Sequence, residues 1–287
     1  MFIRRAPRFM PRWQALVVML AAAACAASAR PGPSAAAAVL PPQAGASSET
    51  GSLWLIFVDD LHLDFTATGR LKALFKTIAD ELVKEGDLFG VVSTGPSSIA
   101  IDSTRDRKQL EDAHPRISGA ALKPSEILSG PADKATSEVR YRAHVSFSTA
   151  YGVMKSLERL TSRRKAFIYV SNGYAFDLRR SSDGPLSVSN PFLITGNQFS
   201  VEQLREEVAE LARQAKRANV TIYGIDPRAL SGPPVVDPNV DDVAWQRYWA
   251  TTRNSLQVIA EETGGFALQD QTGFLEGLAR IRDANRR

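Results

Sequence analysis

An apolar run of six residues, Leu53-Trp54-Leu55-Ile56-Phe57-Val58, ends directly in two carboxylates, Asp59 and Asp60. His62 and Asp64 follow at alternate positions. In an extended segment Asp60, His62 and Asp64 would face one side. Carboxylates with water suit hard cations such as magnesium or calcium. Adding an imidazole, from His62 or from His144, shifts the preference toward zinc, manganese or iron. Other oxygen donors stand where further strands are expected to end: Ser171 and Asn172, and then Asp226. Ser148 and Thr149 are expected just before a long helix. A bland use of the same residues is equally physical. Short polar loops employ Asp to bond their own backbone, and His62 can pack against a neighbouring loop.

Covalent chemistry has little to work with. The strand exits carry neither a phosphate-cradling Gly-x-Gly-x-x-Gly nor a Gly-x-Ser-x-Gly elbow. The single cysteine, Cys25, lies in the expected leader. The mature chain then has no thiol nucleophile, thiolate metal site or disulfide. Only His62, His114 and His144 could act as bases near neutral pH. No nucleophile–base pair can be named, so the expectation is a protein that is not an enzyme. The catalytic alternative is metal-assisted hydrolysis at Asp59-Asp60.

These residues need elements to position them. The apolar run reads as a strand buried on both faces, which belongs in a parallel sheet. In open α/β sheets ligands bind beyond the carboxyl ends of the strands, where Asp59 and Asp60 fall. Leu71, Leu74, Phe75, Ile78 and Leu82 recur at helical spacing, with Thr68 at the start and Gly86 after the end. Leu88–Ser93 reads as a second strand. The turn Thr94-Gly95-Pro96-Ser97 implies a hairpin to an antiparallel edge strand at Ser98–Ile101. Arg105–His114 reads as a helix, and Gly119–Ser137 as a long loop. Val153, Met154, Leu157 and Leu160 mark the next helix, and Ala166–Val170 a strand. After a loop over Asp177–Asn197, Ser200 and Gln203 have capping-box spacing ahead of a helix. Val220–Ile225 is a strand, Ser231–Asp242 a loop, Trp245–Glu262 a helix and Phe266–Leu268 a last short strand. Phe274, Leu275, Leu278 and Ile281 close the chain as a helix. Trp54 and Tyr169 read as core, and Trp245 and Trp249 share a helix face suited to docking. This alternation predicts a Rossmann-like, doubly wound α/β fold: a mostly parallel sheet, one antiparallel edge strand, and helices on both faces.

The N-terminal region sets the expected compartment. Residues 1–29 hold Arg4, Arg5, Arg8 and Arg12 without an acidic residue, then an apolar stretch and Ala27-Ser28-Ala29. That is the pattern of a secretory signal peptide. The apolar stretch is short of the roughly 20 residues a spanning helix needs. The protein is therefore expected to be exported, to the periplasm or outside the cell. Ala23-Ala24-Cys25 also faintly resembles a lipoprotein cleavage site, with Ala22 where Leu is usual, so a lipid anchor at Cys25 is the one expected link to a membrane. The chain's net charge is +4, and the leader's four Arg account for all of it, which leaves the remainder neutral. Its pI of about 9.3 is therefore no sign of nucleic-acid binding. Residues 30–52, rich in Pro, Ala, Gly and Ser, read as a flexible tether. Residues 53–287 then form one domain, and 44% hydrophobic composition is enough for its core.

Taken together, Phe57-Val58-Asp59-Asp60-Leu61-His62-Leu63, Gly86-Asp87-Leu88-Phe89-Gly90-Val91-Val92-Ser93, Arg163 to Gly173, Asn219 to Arg228 and Ala260-Glu261-Glu262-Thr263-Gly264-Gly265 make a recognisable series. In that order they resemble the von Willebrand factor type A domain, and more narrowly the exported bacterial proteins described as VWFA-related. The resemblance implies the Rossmann-like fold and a metal-ion-dependent site of the form Asp-x-Ser-x-Ser, with a Thr from a second loop and an Asp after the central strand. Asp59 matches the first Asp, Thr149 the Thr, and Asn172 stands in the last Asp position; Leu61 and Leu63 replace both Ser residues. The implied ligands are thus Asp59, Asp60, Thr149 and Asn172, with His62, Asp64 and Ser148 as further members, for Mg2+, Mn2+ or Ca2+. The implied function is a non-enzymatic, adhesion-type module that binds a protein or glycan partner at the carboxyl edge of the sheet through this degenerate site. The alternative is an interaction scaffold that needs no metal.

Overall fold

Every residue of Leu53–Val58 is buried, as a strand flanked by two others and covered on both faces must be. The computed structural model describes residues 51–65, 68–129, 132–160, 163–179, 192, 199–230 and 236–286. The expected leader, Cys25, most of the tether and most of the expected Asp177–Asn197 loop lie outside them. Strand β1 (Leu53–Val58) pairs in parallel with β2 (Leu88–Ser93) and β4 (Lys165–Val170). Beyond β4 come β5 (Val220–Ile225) and β6 (Ala267–Leu268), also parallel. The antiparallel edge strand is β3 (Ala100–Thr104), beside β2. The order across the sheet is β3-β2-β1-β4-β5-β6. This is the expected α/β architecture.

Among the described residues seven α-helices accompany the sheet: α1 (Thr68–Leu82), α2 (Arg107–Ala113), α3 (Pro124–Ser129), α4 (Ala132–Leu157), α5 (Val201–Arg217), α6 (Asp242–Glu261) and α7 (Phe274–Arg286). On one face, Trp54, Ile56 and Val58 pack with Leu74 and Ile78 of α1, Leu110 of α2 and Leu278 of α7. On the other, Leu55 and Phe57 pack with Phe147 of α4, Leu204 of α5 and Leu256 of α6. Alternate residues of one strand thus feed two cores. Among the described residues no helix is long and apolar enough to cross a membrane.

Three expectations need correction. The edge strand begins at Ala100 because Ser98 takes a left-handed turn conformation (φ 47) and the Ile99 amide bonds the Ser93 side-chain hydroxyl at 2.8 Å, so the ladder opens late. Gly119–Ser137 is not one long loop: it contains α3 and the first turns of α4. Polar composition hid a helix whose buried stripe is narrow and made partly of small residues, Val139, Ala143, Ser146, Phe147, Ala150 and Met154. Ser148 and Thr149 consequently lie inside α4 rather than in the loop before it.

Candidate functional site at the strand exits

The parallel register sets Val58 beside Ser93 and Val170, so the next residues of three strands, Asp59, Thr94 and Ser171, leave the sheet together. Asp59 is completely buried. Its Oδ1 accepts from Ser146 Oγ at 2.7 Å and faces His62 Nδ1 at 3.0 Å. Its Oδ2 accepts from Tyr174 Oη at 2.8 Å and Ser171 Oγ at 2.9 Å. Tyr169 Oη lies within hydrogen-bond reach of Tyr174 Oη, which extends the chain of hydroxyls into the core. Burial by itself raises the Asp59 pKa, but the charge of His62 and hydrogen bonds from His62, Ser146 and Tyr174 together outweigh it, and the net shift is downward. The same burial, with the nearby Asp59 charge, pushes both tyrosines well above their ordinary values.

Asp60 does a different job. It is fully buried and ties the β2–β3 turn to the end of β1: Oδ2 accepts from the Ser97 amide at 2.8 Å and Oδ1 from Thr94 Oγ1 at 2.9 Å. Burial raises its pKa, and the bonds from Ser97 and Thr94 only partly offset this. Two adjacent aspartates are thus pushed in opposite directions by what surrounds them.

Asn172 joins the same rim through its backbone. Its amide bonds the His62 carbonyl at 3.2 Å, and its own carbonyl accepts from Arg228 Nη2 at 2.6 Å. The Asn172 side-chain oxygen is buried without a partner among the described residues. Arg228 also clasps Asp226 (Nη2–Oδ2 2.7 Å) and lies 4.2 Å over the Trp249 ring. Next to Asn172, Gly173 has φ +79, and a Cβ there would stand 1.9 Å from the Thr252 carbonyl oxygen. The exit of β4 is therefore locked against α6.

A segment between α2 and α3 closes this edge from above. The Ala120 amide bonds the Asp60 carbonyl (2.8 Å) and the Ala121 amide the Leu63 carbonyl (3.0 Å). The remaining expected ligands are not brought to Asp59. Thr149 gives its hydroxyl to Val145 of its own helix at 2.7 Å, and Ser148 does likewise at 3.2 Å. Asp64 is exposed. His144 pairs with Glu207 between α4 and α5 at 2.7 Å and stacks on Phe199. Leu63, in a Ser position of the implied motif, is buried in the core. Among the described residues no group of three or more His, Cys, Asp or Glu is placed to hold a metal ion.

The chemistry around Asp59 follows from counting protons. Both carboxylate oxygens already face donors, four hydroxyls (Ser146, Ser171, Tyr174 and, at 3.2 Å, Thr94) and an imidazole, so a cation would have to displace groups that are themselves buried or half-buried. The residues present do not fit a hard-cation site in this arrangement. Nor do Asp59, His62 and Ser146 make a relay. In a Ser-His-Asp triad the base uses opposite ring nitrogens for its two partners. Here Ser146 Oγ (3.3 Å) and Asp59 (3.0 Å) both face Nδ1.

Ser146, Tyr174 and Thr94 are the site residues that sequence reasoning did not single out. Ser146 was findable. It lies three residues after Ala143 and four before Ala150, on the stripe that α4 buries, once the helix is started early enough. Tyr174 and Thr94 carry no such signal, because strand register and a turn beyond Gly173 aim them. No protein-family model and no curated protein matches the sequence.

Proposed function

We propose that this chain is an exported, non-enzymatic binding module of the von Willebrand factor type A kind, which recognises a protein or glycan partner at the carboxyl edge of its sheet without a metal ion. The strand order with one antiparallel edge, and Asp59 at the first exit, support the likeness. The observation that carries the metal-free form is the Asp59 carboxylate, saturated by donors from His62, Thr94, Ser146, Ser171 and Tyr174. In this reading the adhesion-site position has become structural. Hydroxyl protons and an imidazole do the work of a cation: they hold three strand exits and α4 around one buried negative charge. Recognition then falls to the surface built over that knot.

Calorimetry and thermal melts with Mg2+, Mn2+ and Ca2+ test this. The expected result is no binding heat and no change in Tm with any of them, or with a chelator. A saturable response to one cation that is lost in Asp59→Asn would restore the metal-dependent form. Ester or phosphate hydrolysis lost in Asp60→Ala would instead establish an enzyme.

A further inference from the structure

We propose that Ser118–Leu122 is an internal occupant of the recognition edge, a strap whose place is taken by an extended peptide of small apolar residues on the partner. This rests on the carboxyl edge being the recognition edge, and it narrows the partner to a protein. The strap is held almost wholly through its main chain. Ala120 and Ala121 donate to the carbonyls of Asp60 and Leu63 at 2.8 and 3.0 Å. The Ala120 carbonyl accepts from Arg142 Nη1 at 2.6 Å, and the Ser118 amide bonds Ser97 Oγ at 3.0 Å. Main-chain recognition of this sort transfers to any extended peptide that can approach as closely. The approach is close enough to demand glycine: a Cβ on Gly119 would lie 2.2 Å from the Leu63 carbonyl oxygen.

The strap is also an incomplete occupant. Beneath Ala121, Leu122 and Ile127 remains a cavity of about 30 Å³, bordered by His62, Val139 and Tyr248. His62 Nε2 is buried and has no partner among the described residues. A buried nitrogen without a partner is a standing cost of the closed form. A side chain larger than alanine could fill the cavity, which this strap does not do. The partner's peptide therefore needs a glycine at the point of closest approach, and has room for a larger side chain two positions later.

The test uses the full chain and a fluorescent synthetic peptide, Ser-Gly-Ala-Ala-Leu-Lys, with a control in which valine replaces its glycine. Gly119→Val forces the strap off its seat, and Arg142→Gln removes its clamp without entering the edge. In both variants the amides of Ala120 and Ala121 are expected to exchange at least ten-fold faster than in the wild type. The glycine peptide should bind both variants at least ten-fold more tightly than the wild type, and the valine peptide should bind none. If Gly119→Val does not fold, Arg142→Gln carries the same readouts. Fast exchange without peptide binding, equal binding of the valine peptide, or amides that stay protected in Arg142→Gln would each overturn the proposal. Metal dependence is measured separately, so loss of the strap proposal leaves the reading of Asp59 standing.

Discussion

At the scale of single residues, one carboxylate organises the site. Asp59 gathers five donors from α4 and from the exits of β1, β2 and β4, and each of them is buried or half-buried. Removing the carboxylate takes this acceptor from all five. Asp59→Ala is expected to cost about 3–5 kcal/mol by urea denaturation, the scale for breaking a buried charged pair. The pH dependence has a definite sign. Asp59 titrates below its ordinary value of 3.8 when folded, so its contribution is complete above that value and is lost as pH falls through the lower folded value. Asp60 and Glu207 run the other way. Burial raises both folded pKa values above 3.8 and 4.5, so stability is surrendered as pH climbs from those values through the raised ones. Denaturation curves should therefore show Asp59→Asn flattening the acid limb below about pH 4, the ordinary carboxylate range. Glu207→Gln should flatten the opposite slope just above it. An unchanged acid limb in Asp59→Asn would deny the carboxylate its role.

Elements meet at this edge through a second buried charge. Asp226 directly follows β5 and Arg228 comes two residues later, with side chains only 1% and 13% exposed. The Asp226 carboxylate accepts from the Arg228 amide at 3.0 Å, local turn chemistry. The larger role is to join β5, β4 and α6. The Arg228 guanidinium reaches the Asn172 carbonyl and the Thr252 hydroxyl besides its aspartate. Arg228→Met would keep most of the packing over Trp249 but leave Asp226 as an uncompensated buried anion. A loss of about 3–5 kcal/mol is expected, with much of it recovered in the double variant Asp226→Asn/Arg228→Met. Equal losses in single and double variants would show that packing, not charge, holds these elements.

The whole molecule depends on one sheet carrying two cores. The last helix belongs to one of them: Leu278 and Ile281 are fully buried with Trp54 and Ile78, whereas Leu275 is 59% exposed. Leu278→Ala should therefore cost about 2–5 kcal/mol, and Leu275→Ala less than about 0.5. Similar thermal shifts for both would mean that α7 is not part of the cooperative unit. At the other end of the strands, Asp87 accepts from the Ser52 amide, Trp54 Nε1 and the Lys84 amide, so the amino edge has its own knot. Both ends of β1 are thus tied by aspartates, one facing backbone and indole, the other hydroxyls and imidazole.

Buried strands, helix stripes and the hairpin after β2 were legible in the residues, because periodicity and turn chemistry are local. So was the arrival of Asp59 and Asp60 at the carboxyl edge of the sheet, since it needs only a strand and its end. The start of α4 was not, because a stripe of Ala143, Ser146 and Ala150 looks polar until a sheet is laid against it. What Asp59 faces was decided by tertiary structure alone. Ser146 and Tyr174 lie 87 and 115 residues away from it in sequence. A carboxylate followed by two leucines reads the same whether a cation, water or buried hydroxyls complete it. Only packing, by bringing donors to both oxygens and a strap across the rim, chooses among them.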